Sequence, residues 1–151
     1  MRIVIMGCGR VGAALASDFS RDGCDVTILD TDPAAFRFLA DDFTGIRVVG
    51  NGIDPDVLRK IHLEKVDVFV SATRGDNRNV MAAQIAKHIY GVKVVASRVF
   101  DPLREEMYRN MGLRTINPTR VQARRLKRVI EAPSDEAANL MALDFLKQDG
   151  A

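Results

Sequence analysis

Six short runs rich in Val and Ile recur along this chain: Arg2–Met6, Asp25–Leu29, Ile46–Val49, Val66–Val70, Lys93–Ala96 and Leu113–Ile116. None alternates strictly between apolar and polar residues, which is the pattern of strands covered on both faces of a parallel sheet. Between them helices are announced in a repeated way. Asp32-Pro33, Asp54-Pro55, Asp101-Pro102 and Asn117-Pro118 each set a side chain that caps free amides just ahead of a proline, whose missing N–H would be an orphan there anyway. A fifth helix is expected at about Val11–Arg21. A sixth is expected over Asp76–Tyr90, where Met81, Ile85 and Ile89 repeat at every fourth residue and Gly91 stands to end it.

Strand followed by helix, about six times over, implies right-handed crossovers and a doubly wound, Rossmann-type α/β fold built on a six-stranded parallel sheet. A length of 151 residues suits one core. The boundaries predicted are a nucleotide-binding domain over 1–117, then a helix and short helical tail over 118–151. Composition shifts near Glu131–Pro133, and "SDEAANLMALDFLKQDG" reads as one more amphipathic helix with Ser134 as its cap and Asp135 and Glu136 in its first turn.

The stretch "IVIMGCGRVGAAL" holds three glycines, Gly7, Gly9 and Gly12, after a buried-looking strand and at the start of a helix. In that context a GxGxxG spacing has a mechanism: Gly7 makes the tight turn, Gly9 lets backbone approach a pyrophosphate, and Gly12 lets the helix pack on the strand. The turn Gly7-Cys8-Gly9-Arg10-Val11-Gly12 is therefore the expected phosphate cradle. Asp30 closes the next strand, eighteen residues past Gly12, where a carboxylate accepts both hydroxyls of an adenosine ribose and repels a 2′-phosphate. Thr31 rather than arginine follows it, which favours NAD(H), ADP or ATP over NADP(H). Two further loops fall where such a sheet takes its ligand: "VGNGID", with Asn51 and Gly52, and "SATRGDNRN", with Ala72, Thr73 and Arg74. Arg98, at the end of "VVASRV", is expected to pair with phosphate or to bridge to a neighbouring subunit.

Chemistry beyond binding is not apparent. The six strands use the chain to about Ile116, leaving 35 residues, too few for a substrate domain. His62 and His88 read as solvated residues at helix ends, and no metal cluster or nucleophile beside a base stands out. A non-enzymatic protein is expected, with a cofactor-binding fragment of an NAD-dependent oxidoreductase as the alternative. Cys8 and Cys24 read as reduced, buried thiols, and with no leader-like segment and no run near the ~20 apolar residues of a membrane span, a cytoplasmic location is expected. Hydrophobic residues at 47% and charged residues at 28% exclude disorder as the main reading, and the formal charge of +2 says little about partners.

Charge is nonetheless concentrated at "NPTRVQARRLKRVIEA", where Arg120, Arg124, Arg125, Lys127 and Arg128 surround an apolar face of Val121, Ala123, Leu126, Val129 and Ile130. Only 6% of the chain is aromatic, so base stacking has little to work with, and subunit contact is favoured over nucleic acid.

The runs GCGRVG, ILDTDP, VVGNGIDPDVL, VSATRGDNRNVMAAQIAK, VVASRVFDP and GLRTINPTR resemble, in order and spacing, the RCK or TrkA-N domain of potassium transport regulators, over about Met1–Pro133. Gly50-Asn51-Gly52 is more like the TrkA branch, many channel-type members having aspartate at the position of Asn51, and Asn77 stands where the family often has glutamate. The resemblance implies a non-catalytic cytoplasmic module at the inner face of the membrane that binds NAD(H), ADP or ATP. It also implies a homo-oligomer paired through the crossover helix at Thr119–Ile130, a TrkH/TrkG-like membrane potassium transporter subunit as partner, and nucleotide contacts from Gly7, Gly9, Gly12, Asp30, Asn51, Thr73 and Arg98, the last either touching the nucleotide or bridging subunits near it. Members usually continue into a smaller ligand-sensing domain.

Overall fold

A computed structural model describes residues 1–148. The described residues form two compact units, Met1–Ile116 and a second that begins at Asn117. In the first, β1 (Arg2–Met6), β2 (Asp25–Asp30), β3 (Ile46–Val49), β4 (Val68–Ser71), β5 (Val94–Arg98) and β6 (Arg114–Ile116) make one sheet in the order β3-β2-β1-β4-β5-β6. Every pairing is parallel, with β1 central: Ile3 lies beside Val26 and Val68, and Met6 beside Leu29 and Ser71.

Both faces are buried, as the unalternating runs imply. Val4 and Met6 point to one side and pack with Leu58, Phe69, Val80, Ala83 and Val95; Ile3 and Ile5 point to the other and pack with Ala13, Ala16, Val26 and Ile28. α1 (Arg10–Arg21) covers the second side through Gly12, Ala13, Ala16 and Ser17, residues small enough to bring the helix close to the sheet. α2 (Pro55–Lys60), α3 (Asp76–Gln84) and α4 (Pro102–Asn110) follow β3, β4 and β5. The caps act as expected: Asp54 accepts from Asp56 N–H at 2.8 Å and Asp101 from Leu103 N–H at 2.9 Å.

Several expectations are corrected. Asp32 does cap, accepting from Ala34 N–H at 2.9 Å, but Pro33–Phe38 forms only a 3-10 segment. β4 starts at Val68 rather than Val66, because Val66 N–H closes a 3-10 turn onto Leu63 O. The Met81, Ile85, Ile89 stripe is a core face only in part: Ile85 packs against the core, but Met81 and Ile89 are exposed, and α3 buries Asn79, Val80, Ala82 and Ala83. Its last stretch, Ile85–Ile89, widens into a π-helix before Gly91, at φ +70°, ends it. Cys24 is only half-buried.

The second unit contains α5 (Pro118–Ile130) and α6 (Asp135–Gln148). Asn117 caps α5 through Arg120 N–H at 2.8 Å, and Ser134 caps α6 through Ala137 N–H at 3.2 Å. No residue of α5 is buried, and Leu126 and Ile130 on its apolar face are exposed. The end of the predicted tail helix, residues 149–150, lies outside the described residues.

Candidate functional site

From β1 the chain runs outward to β2 and β3 and then returns across the sheet to β4, so the switch point lies between β1 and β4. Open parallel sheets take ligands outside the carboxyl ends of their strands at that point. Here a cleft of about 590 Å³ opens there.

Its floor is the turn after β1. Gly7 adopts φ +103° and donates its N–H to Leu29 O at 2.7 Å, and a Cβ on it would press on Thr73 N at 2.9 Å. A Cβ on Gly12 would overlap the Gly7 carbonyl oxygen, so α1 sits hard against the turn. Gly12, also expected among the contact residues, is buried and does not line the cleft; it lets α1 pack closely, the role its place in the spacing implies. Gly9 differs from both. Its φ of −75° suits any residue, and a Cβ there would meet no atom within 4 Å, yet it lines the cleft. Among the described residues nothing requires glycine at this position.

Gly9 is also the N-cap of α1, without a side-chain cap and with no acidic residue in the first turn. Helix geometry leaves the N–H groups of Arg10, Val11 and Gly12 without an intrahelical acceptor, beside the positive end of the helix dipole. Such an end stabilises an exposed anion by about 0.3–1 kcal/mol and a partly buried one by up to ~2.

Asp30 leans onto this turn. Its Oδ2 accepts from Cys8 N–H at 2.7 Å and its Oδ1 from Asp32 N–H at 3.0 Å, so the carboxylate is fixed in place while each oxygen keeps a lone pair for a further donor. Thr31 lines the wall beside it. The Cys8 thiol is buried and pushed up to about 11, by desolvation first and by the Asp30 charge second, with Arg47 opposing. It is therefore a neutral thiol, and what Cys8 contributes is its backbone. Beside Asp30, in the loop after β3 that its carbonyl ties through Gly50 N–H at 2.9 Å, Asn51 and Gly52 also line the cleft. Asn51 Oδ1 accepts from Ile53 N–H at 3.3 Å, holding the side chain over the loop.

On the other side of the cradle the loops after β4 and β5 are tied by Asn79, which is fully buried on α3. Its Oδ1 accepts from Thr73 N–H at 2.9 Å and Thr73 Oγ1 at 2.6 Å; its Nδ2 donates to Thr73 O and Arg98 O, both at 2.9 Å. Arg98 donates to Thr73 O at 2.8 Å and lies over the Phe100 ring, 4.6 Å from its centroid. Its Nε is buried with no hydrogen-bond partner among the described residues. Burial lowers the Arg98 pKa from its ordinary value, with Asp76 opposing and Arg74 reinforcing. A half-buried guanidinium whose Nε is unbonded suits an anion or a flat polar ring. Asn77 is used within the chain, accepting from Arg104 at 3.0 Å.

The remaining expected residues, Arg10, Val11, Ala72 and Arg74, also line the cleft. Sequence reasoning missed Arg37, Phe38, Arg78 and Phe100 there, and Asn79 behind them. A signal existed for one: Phe100 is two residues beyond Arg98, the spacing that puts strand side chains on one face. His62 and His88 are exposed and line no part of the cleft. No group of three or more metal-ligating side chains occurs among the described residues.

The fold and this cleft define a Rossmann-type α/β domain with its cleft at the switch point of the sheet. Residues 3–118 match the model of the TrkA-N domain, and the chain belongs to that family. It is 44% identical over 128 residues to the Trk system potassium uptake protein TrkA of Streptomyces coelicolor, covering 85% of this chain and 57% of that one. The chain thus spans somewhat over half of that relative. Among solved structures, the fold is similar to the GsuK channel bound to NAD, with a TM-score of 0.76, 20% identity, and coverage of 92% of this chain and 24% of that one. It is also similar to GsuK bound to ADP, with a TM-score of 0.75, 19% identity, and coverage of 88% and 34%.

Proposed function

We propose that this chain is the nucleotide-binding module of a cytoplasmic, TrkA-like regulator of potassium uptake, acting beneath a TrkH/TrkG-like membrane transporter subunit. It binds NAD(H), with ADP or ATP as alternatives, and carries out no turnover. Support for the potassium role comes from the name of the Streptomyces relative, and for the ligands from the titles of the NAD- and ADP-bound channels. No helix among the described residues is long and apolar enough to cross a membrane.

The observation that carries the binding reading is Gly9, which has neither strain nor a neighbour to explain it and sits between free helix amides and the anchored Asp30 carboxylate. In this reading the amides of Arg10 and Val11 hold phosphate, Asp30 the ribose hydroxyls, Asn51 the adenine edge, and Thr73 and Arg98 whatever lies beyond the phosphates. A bound nucleotide supplies no covalent chemistry; it biases the equilibrium between arrangements of paired subunits by its difference in affinity for them. Pairing is assigned to the apolar face of α5, whose Leu126 and Ile130 are exposed.

Calorimetric titration with ADP and NADH tests the binding reading. Asp30→Ala should weaken both by at least about tenfold, since hydrogen bonds to a charged acceptor contribute roughly 1.5–3 kcal/mol. Equal affinity for the variant and the native chain would refute the role of Asp30.

A further inference from the structure

Two arginine-on-phenylalanine stacks line the cleft, and they stand at opposite ends of it. Arg37 lies 4.8 Å from the Phe38 ring centroid, just beyond β2, and Arg98 lies 4.6 Å from the Phe100 ring centroid, at the end of β5. A third such pair, Arg47 on Phe43, lies outside the cleft and serves the core: Phe43 is 5% exposed. Phe38 and Phe100, by contrast, line the cleft and are 41% and 37% exposed.

Both stacks are held by backbone bonds rather than left loose. The Asp32 cap fixes the 3-10 segment that carries Arg37 and Phe38, and Leu39 N–H closes that segment onto Phe36 O at 3.2 Å. At the other end the Asp76 carboxylate accepts from Phe100 N–H at 2.9 Å and Asp101 N–H at 3.0 Å, while Arg98 is pinned to Thr73 O. Strands β1 and β4 lie between β2 and β5, so three interstrand spacings, roughly 14 Å, separate the two ends. The glycine turn, with its free amides, lies between them. The order along the cleft is therefore flat cation, phosphate cradle, flat cation.

We propose that the two stacks are the ring stations of a two-base ligand: Arg37 on Phe38 receives the adenine face, and Arg98 on Phe100 receives the second flat ring of a dinucleotide. A guanidinium backed by a phenyl ring offers its outer face for stacking, and the ligand ring continues the pile. This rests on the nucleotide reading of the cleft and narrows it. A mononucleotide engages one station, and a dinucleotide engages both.

The test is calorimetric titration of the 151-residue chain with ADP, ADP-ribose and NADH, using Phe38→Ala, Phe100→Ala and Phe100→Tyr. Losing one base stack weakens binding by at least about fivefold. Phe100→Ala should weaken NADH by that factor and leave ADP and ADP-ribose within about twofold. Phe100→Tyr, which keeps a ring, should bind NADH like the native chain, and Phe38→Ala should weaken all three ligands alike. Phe100→Ala with unchanged NADH affinity, or with ADP weakened as much as NADH, overturns the two stations while leaving the cleft a nucleotide site. A native chain that takes up none of the three ligands overturns the nucleotide reading itself.

Discussion

Gly9→Ala and Gly12→Ala make the same chemical change three residues apart and should have opposite consequences. At Gly12 the new methyl would overlap the Gly7 carbonyl oxygen, a backbone atom that cannot rotate away, so α1 must shift off the turn. Overpacking of this kind costs about 1–3 kcal/mol, which at roughly 2–4 °C per kcal/mol lowers Tm by about 2–12 °C. At Gly9 the backbone is unstrained and the methyl meets no protein atom within 4 Å. There the entropy gain of about 0.4–1 kcal/mol is offset by a weaker N-cap of similar size, so Tm should stay within about 2–4 °C of the native value. The ligand response should reverse that order. At a ligand concentration of 100 Kd the native chain gains about 2.7 kcal/mol, a Tm rise of roughly 5–11 °C. Gly9→Ala should lose most of that rise, because its methyl occupies the approach to the Arg10 and Val11 amides. Thermal melts with and without ADP or NADH read both effects. If Gly9→Ala keeps the full ligand-induced rise, or melts as early as Gly12→Ala, the assignment of separate jobs to the two glycines is wrong.

Asn79→Asp should destabilise the fold by about 3 kcal/mol or more, because an acceptor oxygen would face the Thr73 and Arg98 carbonyls and a charge would be buried, and urea melts measure it. Asp30→Asn retains one acceptor oxygen for the turn but removes the charge that repels a 2′-phosphate; the ratio of NADH to NADPH affinity should fall by about tenfold or more, read by calorimetry. The Cys8 thiol keeps its proton to about 11 in the fold, against the ordinary 9.0. The folded state therefore binds the extra proton between those values, and stability should fall as pH rises through that window. Urea melts at successive pH values should show a shallower decline for Cys8→Ala than for the native chain.

Elements defined by local chemistry were the legible ones. Arg2–Met6 and Ile46–Val49 are strands within the bounds expected, and Gly7, Asp30 and the Asp-Pro caps do locally what their residue types allow. Spacing was less informative where two faces competed. Met81, Ile85 and Ile89 repeat correctly for a helix, but only Ile85 packs against the core; α3 turns Asn79, Val80, Ala82 and Ala83 inward instead and leaves Met81 and Ile89 exposed. A cap likewise fixes where a helix starts without fixing its length, and Asp32 is followed by only one 3-10 segment.

The cleft divides in the same way. Its cradle is a property of consecutive residues and could be read from the glycine spacing, whereas its ends are made by juxtaposition. Asn79 looks like any polar residue of a helix. Only when β4 and β5 lie side by side do Thr73 and Arg98 come within 2.9 Å of one amide, which then fixes both loops and with them the guanidinium over Phe100. A polar side chain that satisfies two separate loops at once cannot be found from periodicity, because its partners are 6 and 19 residues away on other elements. That one buried amide holds the loops after β4 and β5 to each other, much as the tight fit of Gly12 on the Gly7 carbonyl holds α1 to the turn after β1, and loops fixed in this way lose little conformational freedom when a ligand binds between them.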